Sequence, residues 1–199
     1  MPCLEIGYLP ALDFAGNEAF DTLATNLSYC GSDIKTILVT SRYAYEGKSF
    51  TSMNLLRTLS SLKKRVVLLD ADLRRSQIMS QHEIHFQEGP HYGLAHYLAE
   101  MCEIEDVVYQ TNIPNAWLVP IGREVSSSLQ LLSSDRTRIL METLRQHFDV
   151  VIVDAPPAGI IVDAIEIAKY CDGALLVVGY NRGRRRDIGD VVNAFEKTN

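Results

Sequence analysis

The sequence predicts an α/β fold: a doubly wound, mostly parallel sheet with helices on both faces, in three Rossmann-like layers. Three stretches carry that prediction. Ile37-Leu38-Val39-Thr40-Ser41, Val66-Val67-Leu68-Leu69-Asp70 and Val150-Val151-Ile152-Val153-Asp154 are short apolar runs rich in β-branched residues. Strands covered on both faces need such continuous runs, whereas half-exposed strands alternate. Segments with helical spacing stand between them, and alternating strands and helices imply crossover connections and a parallel sheet.

Each run ends in polar chemistry. The first leads through Arg42-Tyr43-Ala44-Tyr45-Glu46 into Gly47-Lys48-Ser49-Phe50, where a helical pattern begins. Strand, loop and helix start form the context in which Gly-Lys-Ser reads as a phosphate loop, the mark of a P-loop NTPase. Backbone N–H groups at a helix start carry partial positive charge and can wrap a phosphate chain. Lys48 adds a full charge, and the Ser49 hydroxyl is a ligand type suited to the Mg²⁺ of ATP or ADP. Arg42 stands where the usual pattern has its first glycine. The second run delivers Asp70, Asp72 and Arg74, and the third delivers Asp154 followed by Ala155-Pro156-Pro157. Open α/β sheets bind ligands at the C-terminal ends of their strands, so the three ends together suit a magnesium nucleotide.

With those residues in view, the chain resembles the bacterial tyrosine kinases, the cytoplasmic ATPases of capsular and exopolysaccharide biosynthesis. The second-strand pattern apolar-Asp-x-Asp-x-Arg matches at Asp70, Asp72 and Arg74, and the third, apolar-Asp-x-Pro, at Asp154 and Pro156. The loop matches at Thr40, Ser41, Gly47, Lys48 and Ser49, while Ala44 replaces a proline. The resemblance runs from about Asn17 to the end of the chain. It implies residues 42–50 as the nucleotide-binding loop, with Ser49, Asp72 and Asp154 holding Mg²⁺ or its waters. It also implies Lys48, Asp70 and Asp72 as the catalytic set, Asp70 accepting the proton of an attacking tyrosine hydroxyl. The partners it implies are a membrane-bound activator, a tyrosine-containing protein substrate and, in a homo-oligomer, further copies of the chain. The place it implies is the cytoplasm, at the inner face of the membrane through that activator.

Composition agrees. A chain of 199 residues with 47% hydrophobic content can bury one sizeable core. No apolar run approaches the ~20 residues that span a bilayer, and no signal peptide is legible. Four scattered cysteines, with no Cys-x-x-Cys pair, read as reduced thiols. A net charge of −6 argues against a nucleic-acid partner.

In chain order, residues 1–16 read as an N-terminal arm packed on the surface, and residues 17–199 as the catalytic domain. A helix is expected from Asn17, with Ala19, Phe20, Leu23 and Leu27 on its apolar stripe. The resembled family carries a ring-assembly motif here, Glu-x-x-Arg-x-x-Arg, but Asp21 and Ala24 replace both arginines beside Glu18. Residues after Asp72 to His91 are polar and mixed, and His82, His85 and His91 read as solvated rather than as metal ligands. A helix at Gly93–Leu98, a strand at Trp117–Gly122 and a helix at Thr137–His147 follow. Then come a helix at 161–170 and a strand at Gly173–Tyr180. Arg182, Arg184, Arg185 and Arg186 form a basic cluster, read either as a solvated helix start or as a contact for nucleotide, subunit or acidic peptide. The family's last core strand and tyrosine-rich tail do not occur within these residues.

Two other readings stand beside the kinase. One is a positioning ATPase of the ParA/MinD type, whose signature lysine falls five residues before the loop lysine, where this chain has Tyr43. The other is a nucleotide-binding relic with weak catalysis, suggested by Arg42, Ala44 and Tyr45 in the loop.

Overall fold

A computed structural model describes residues 2–31, 33–87, 89–159 and 162–197. Its strands are β1 (Cys3–Ile6), β2 (Thr36–Ser41), β3 (Val66–Asp70), β4 (Ile84–Phe86), β5 (Tyr109–Thr111), β6 (Ala116–Val119), β7 (Val150–Asp154) and β8 (Gly173–Val177). Its helices are α1 (Phe14–Tyr29), α2 (Lys48–Ser61), α3 (Ile78–Gln81), α4 (Leu94–Leu98), α5 (Ser128–Leu132), α6 (Asp135–His147), α7 (Asp163–Ala168) and α8 (Arg185–Glu196). All eight strands form one sheet in the order β4-β1-β5-β6-β3-β7-β2-β8. The contiguous block β6-β3-β7-β2-β8 is parallel, while β4 on β1 and β5 on β6 are antiparallel.

The three apolar runs lie side by side as β3, β7 and β2, and every residue of each is buried. Alternate side chains go to opposite faces, which divides the core in two. Leu38, Val67, Leu69, Val151 and Val153 pack with residues of α4, α6 and α7. Ile37, Val39, Val66, Leu68 and Ile152 pack with Met53, Leu55, Leu56 and Leu59 of α2 and with Ala24 of α1. This is the three-layer architecture the alternation implies. Among the described residues, no helix is long and apolar enough to cross a membrane.

Several elements depart from the sequence reading. The segment read as a surface arm enters the sheet, with β1 between β4 and β5, and α1 starts at Phe14, capped by the Asp13 side chain on the Gly16 N–H. Only Leu4 and Ile6 of β1 point inward, too short an alternation to stand out. The polar stretch before His91 holds α3 and β4, and β5 was not foreseen; each is three or four residues long and is specified by its partners rather than by its own pattern. Strand β8 ends at Val177 rather than Tyr180, and α6 begins at Asp135 rather than Thr137. Helix α7 covers Asp163–Ala168, and Ile161, where that helix was expected to begin, lies outside the described residues.

Ala24 explains one departure from the assembly motif. It is buried in the α1–α2 contact, where an arginine would lose its solvation, while Glu18 and Asp21 are exposed.

Candidate active site

The site forms where β2, β7 and β3 end. In register, Val39 faces Asp154 and Asp154 faces Asp70, so one row across the sheet brings the loop strand and two carboxylates together. The loop after β2 is folded by its own polar groups. The Ser41 hydroxyl donates to the Tyr43 carbonyl at 2.6 Å, and Glu46 accepts the Tyr43 N–H at 2.8 Å. Tyr45 has φ 63° and Gly47 has φ 94°, so two of the six residues between β2 and α2 are left-handed. Glycine takes that geometry freely; for Tyr45 it is a local cost of about 1–2 kcal/mol.

Gly47 is the residue before α2, and no side chain caps that helix. The Thr51 N–H donates to the Gly47 carbonyl at 2.9 Å. The amides of the first turn are therefore directed at the space above the sheet, where an anion is favoured.

Lys48 leaves that turn and places its Nζ 3.3 Å from Asp72 Oδ2 and 3.6 Å from Asp154 Oδ2. Burial works against its ammonium, but Asp154, Asp72 and Asp70 outweigh that and raise its pKa. The Ser49 hydroxyl donates to Asp154 Oδ2 at 2.7 Å, and the Ser52 hydroxyl to Asp154 Oδ1 at 2.9 Å. Burial pushes the Asp154 carboxyl up, against the opposing pull of Lys48 and the two hydroxyls.

Asp70 is wholly buried. Ser76 donates a short hydrogen bond to its Oδ2, and the Asp72 N–H reaches its Oδ1 at 3.3 Å. Burial, with Asp154 adding to it, drives this carboxyl well above the ordinary range, though Ser76 and Lys48 pull the other way. Asp72 lies just past the strand, and its Oδ1 accepts the Arg75 N–H at 3.1 Å. Three carboxylates thus share one lysine, an excess of negative charge that a divalent cation would relieve.

The donor set fits Mg²⁺. Hydroxyl and carboxylate oxygens are the hard ligands that ion prefers, and it commonly keeps waters and phosphate oxygens as its remaining ligands. Among the described residues no cluster of three or more His, Cys, Asp or Glu forms a ready-made metal cage, so the ion would need nucleotide and water to complete its shell. Of the three histidines read as solvated, His82 is instead buried and bonded to the Tyr8 carbonyl, and His91 stacks on Phe86.

Not every residue expected at the site converges. Arg74 turns away and pairs with Asp163 at 3.0 Å, beneath which Ser128 donates a short bond to the same carboxylate oxygen. Phe50 packs edge-on against Phe20 of α1. The Arg42 side chain lies against Gly159, where an added Cβ would come within 2.4 Å of Arg42 Cδ. Arg182 of the basic cluster reaches the loop, donating to the Tyr45 carbonyl at 3.2 Å, whereas Arg184, Arg185 and Arg186 are exposed. Ser52, Ser76 and Asp163 were missed by sequence reasoning. Ser52 alone had a signal, lying one helical turn after Lys48 on the face that meets β7.

A family model described as an AAA domain matches residues 34–177. The tyrosine-protein kinase CpsD of Streptococcus pneumoniae serotype 4 is 32% identical over 200 residues, covering 100% of this chain and 86% of that protein. CpsD of Streptococcus agalactiae serotype III is 32% identical over 181 residues, 91% of this chain and 77% of that protein. The chain belongs to the bacterial tyrosine-protein kinase family. Among solved structures, the kinase domain of the Escherichia coli tyrosine kinase ETK superposes with a TM-score of 0.85 at 26% identity, over 92% of this chain and 71% of that one. The septum site-determining protein MinD of Pyrococcus horikoshii, complexed with Mg-ADP, reaches 0.60 at 21% identity over 72% of this chain and 57% of that one, a likeness of fold. The phosphate-loop fold of this family is a nucleotide-binding one, and the three motif strands occupy its center.

Proposed function

We propose that this chain is an ATP-dependent protein-tyrosine autokinase serving capsular or exopolysaccharide synthesis and export. The observation that carries the reading is the position of Lys48, held between Asp72 and Asp154 at the uncapped start of α2 with Ser49 on the same carboxylate. ATP phosphates would lie along residues 42–50, and Ser49, Asp72 and Asp154 would hold Mg²⁺ or its waters. The ion supplies charge neutralisation for the phosphoryl group.

Lys48 stabilises charge that develops between the β- and γ-phosphates, a role worth roughly 10²–10³ in rate. The attacking tyrosine oxygen forms a bond to the γ-phosphorus as the bond to the β–γ bridging oxygen breaks, and ADP leaves. The tyrosine proton goes to Asp70. A phenol with a pKa near ~10 gains from a positioned base. Because Asp70 is wholly buried, with Ser76 donating to its Oδ2, that transfer requires the groups around it to open and admit the tyrosine oxygen.

The reading places the chain in the cytoplasm, recruited to the membrane by the cytoplasmic segment of a membrane-bound activator. The test combines purified protein, Mg-ATP, the activator's cytoplasmic peptide and a tyrosine-rich peptide, read by mass spectrometry for phosphotyrosine. Labelling that disappears in Asp70→Asn while nucleotide affinity persists supports the kinase. ATP turnover without tyrosine phosphorylation under every such condition transfers the chain to the switch-ATPase reading.

A further inference from the structure

Glu46 stands in the phosphate loop directly before Gly47, with its negative charge where phosphate is expected, yet it is buried to 8% exposure. Its side chain does not face the open mouth of the site. Oε2 accepts the Tyr43 N–H at 2.8 Å, and Oε1 accepts the Gly179 N–H at 3.2 Å. The first bond closes the loop on itself. The second ties it to the chain just after β8, which lies next to β2 in the sheet.

Two more bonds run between the same segments. Arg182 donates to the Tyr45 carbonyl at 3.2 Å, and the Tyr43 hydroxyl donates to Asp187 at 3.0 Å. The loop requires such bracing. It holds Tyr45 at φ 63° without glycine, and Ala44 gives it no fixed φ. Among the described residues, three side-chain bonds thus join the loop to residues 179–187.

We propose that Glu46 is a positioning residue for nucleotide binding: its carboxylate clasps the phosphate loop to the segment after β8 and fixes the loop amides in their phosphate-binding arrangement before the nucleotide arrives. The inference rests on the nucleotide-binding reading of this site. It makes residues 179–187 a lever on the loop, since any partner that moves them draws on the Gly179, Arg182 and Asp187 bonds.

The clasp and simple electrostatics predict opposite orders. If Glu46 acted only through its charge, its removal would relieve repulsion and tighten Mg-ADP binding. As a clasp, its removal loses two hydrogen bonds to a charged group, each commonly worth a factor of about ten. The experiment compares wild type with Glu46→Gln and Glu46→Ala by calorimetric titration of Mg-ADP, and by hydrogen exchange at the Tyr43 and Gly179 amides without nucleotide. The expected order of affinity is wild type, then Gln, then Ala. Gln keeps one acceptor oxygen but turns an amide against the second N–H, and Ala should bind at least about tenfold more weakly. Both amides should exchange faster in Ala, with the protection of β2 and β7 unchanged. In kinase assays the loss should fall on KM for ATP more than on kcat.

Equal or tighter binding by both variants overturns the clasp, as does unchanged exchange at Tyr43 and Gly179. A wild-type protein that binds no nucleotide overturns the functional reading instead, and this inference with it.

Discussion

Ser49 donates its hydroxyl hydrogen to Asp154 across 2.7 Å, joining the first turn of α2 to the end of β7. The bond holds the two residues assigned to one cation in contact beforehand. Ser52, one turn further along α2, engages the other oxygen of the same carboxylate at 2.9 Å and fixes its plane. Asp154 is therefore bound by two hydroxyls with different fates: one would turn to the metal, and the other stays.

That division predicts a separation of phenotypes. Ser52→Ala leaves a buried carboxylate oxygen unsatisfied and should cost about 1–3 kcal/mol of stability. Ser49→Ala should cost less in the metal-free protein, because Ser52 and Lys48 still serve Asp154. It should weaken the magnesium dependence of nucleotide binding more than Ser52→Ala does. Thermal melts with and without Mg-ADP, over a magnesium titration, read both effects.

Lys48→Met tests the shared lysine. It should abolish stabilisation by Mg-ADP and should also destabilise the free protein, since three carboxylates would lose the ammonium that they share. Lys48 lowers the pKa of both Asp70 and Asp154, so its loss raises their folded-state values further. The sign follows. Carboxyls with raised folded pKa values favour the fold while protonated, and that support is lost as pH rises past the ordinary range near ~4 and through the raised values. The deficit of the variant should be small near pH 5 and grow toward about 1–3 kcal/mol at pH 8. Denaturant melts across that range measure it; a deficit independent of pH would count against the shared-lysine account.

Arg74 and Asp163 give a stability prediction with a functional control. The Asp163 side chain is 2% exposed and that of Arg74 39%, so removing Arg74 strands a buried carboxylate to which, among the described residues, Ser128 still donates. Arg74→Ala should cost about 2–4 kcal/mol. Disrupting the exposed Arg138–Glu142 pair on α6, by contrast, should barely move the melting temperature. Because Arg74 points at Asp163 rather than at the loop, its loss should lower the melting temperature far more than it changes Mg-ADP affinity. The reverse would return Arg74 to the nucleotide.

How far the sequence carried these features depends on the length and regularity of each signal. The central strands were legible because burial on both faces leaves an unbroken apolar run, and their terminal acids were legible because phosphate and magnesium demand those residue types. The strands β1, β4 and β5 were not, because three or four residues carry too little pattern and pairing decides them. Within the site, Lys48, Asp72 and Asp154 converge as their strand ends imply. Arg74 does not, because its partner Asp163 lies 89 residues away in sequence and has no motif of its own. Glu46 showed only its place in the loop. Its work is defined by an amide of Gly179 that no local pattern connects to it.

His82 supplies the last prediction. It follows α3, is buried, and donates Nδ1–H to the Tyr8 carbonyl at 3.1 Å, while its buried Nε2 has no partner among the described residues. Burial lowers its pKa, with the Tyr8 carbonyl only partly opposing that. Protonation would place both a charge and an unsatisfied donor beside the core near β4 and β1. A histidine with a depressed folded pKa contributes stability that is present above its unfolded value of ~6.5 and is lost as pH falls from there through the folded value. The protein should therefore lose stability on account of this ring as the pH falls below about 6.5. Replacing it by leucine removes the titration: His82→Leu should be less stable than wild type near pH 8, having lost the Tyr8 bond, and the gap should narrow on acidification. Urea melts at pH 8 and pH 5 decide it, and a gap that stays constant would remove His82 from the acid response.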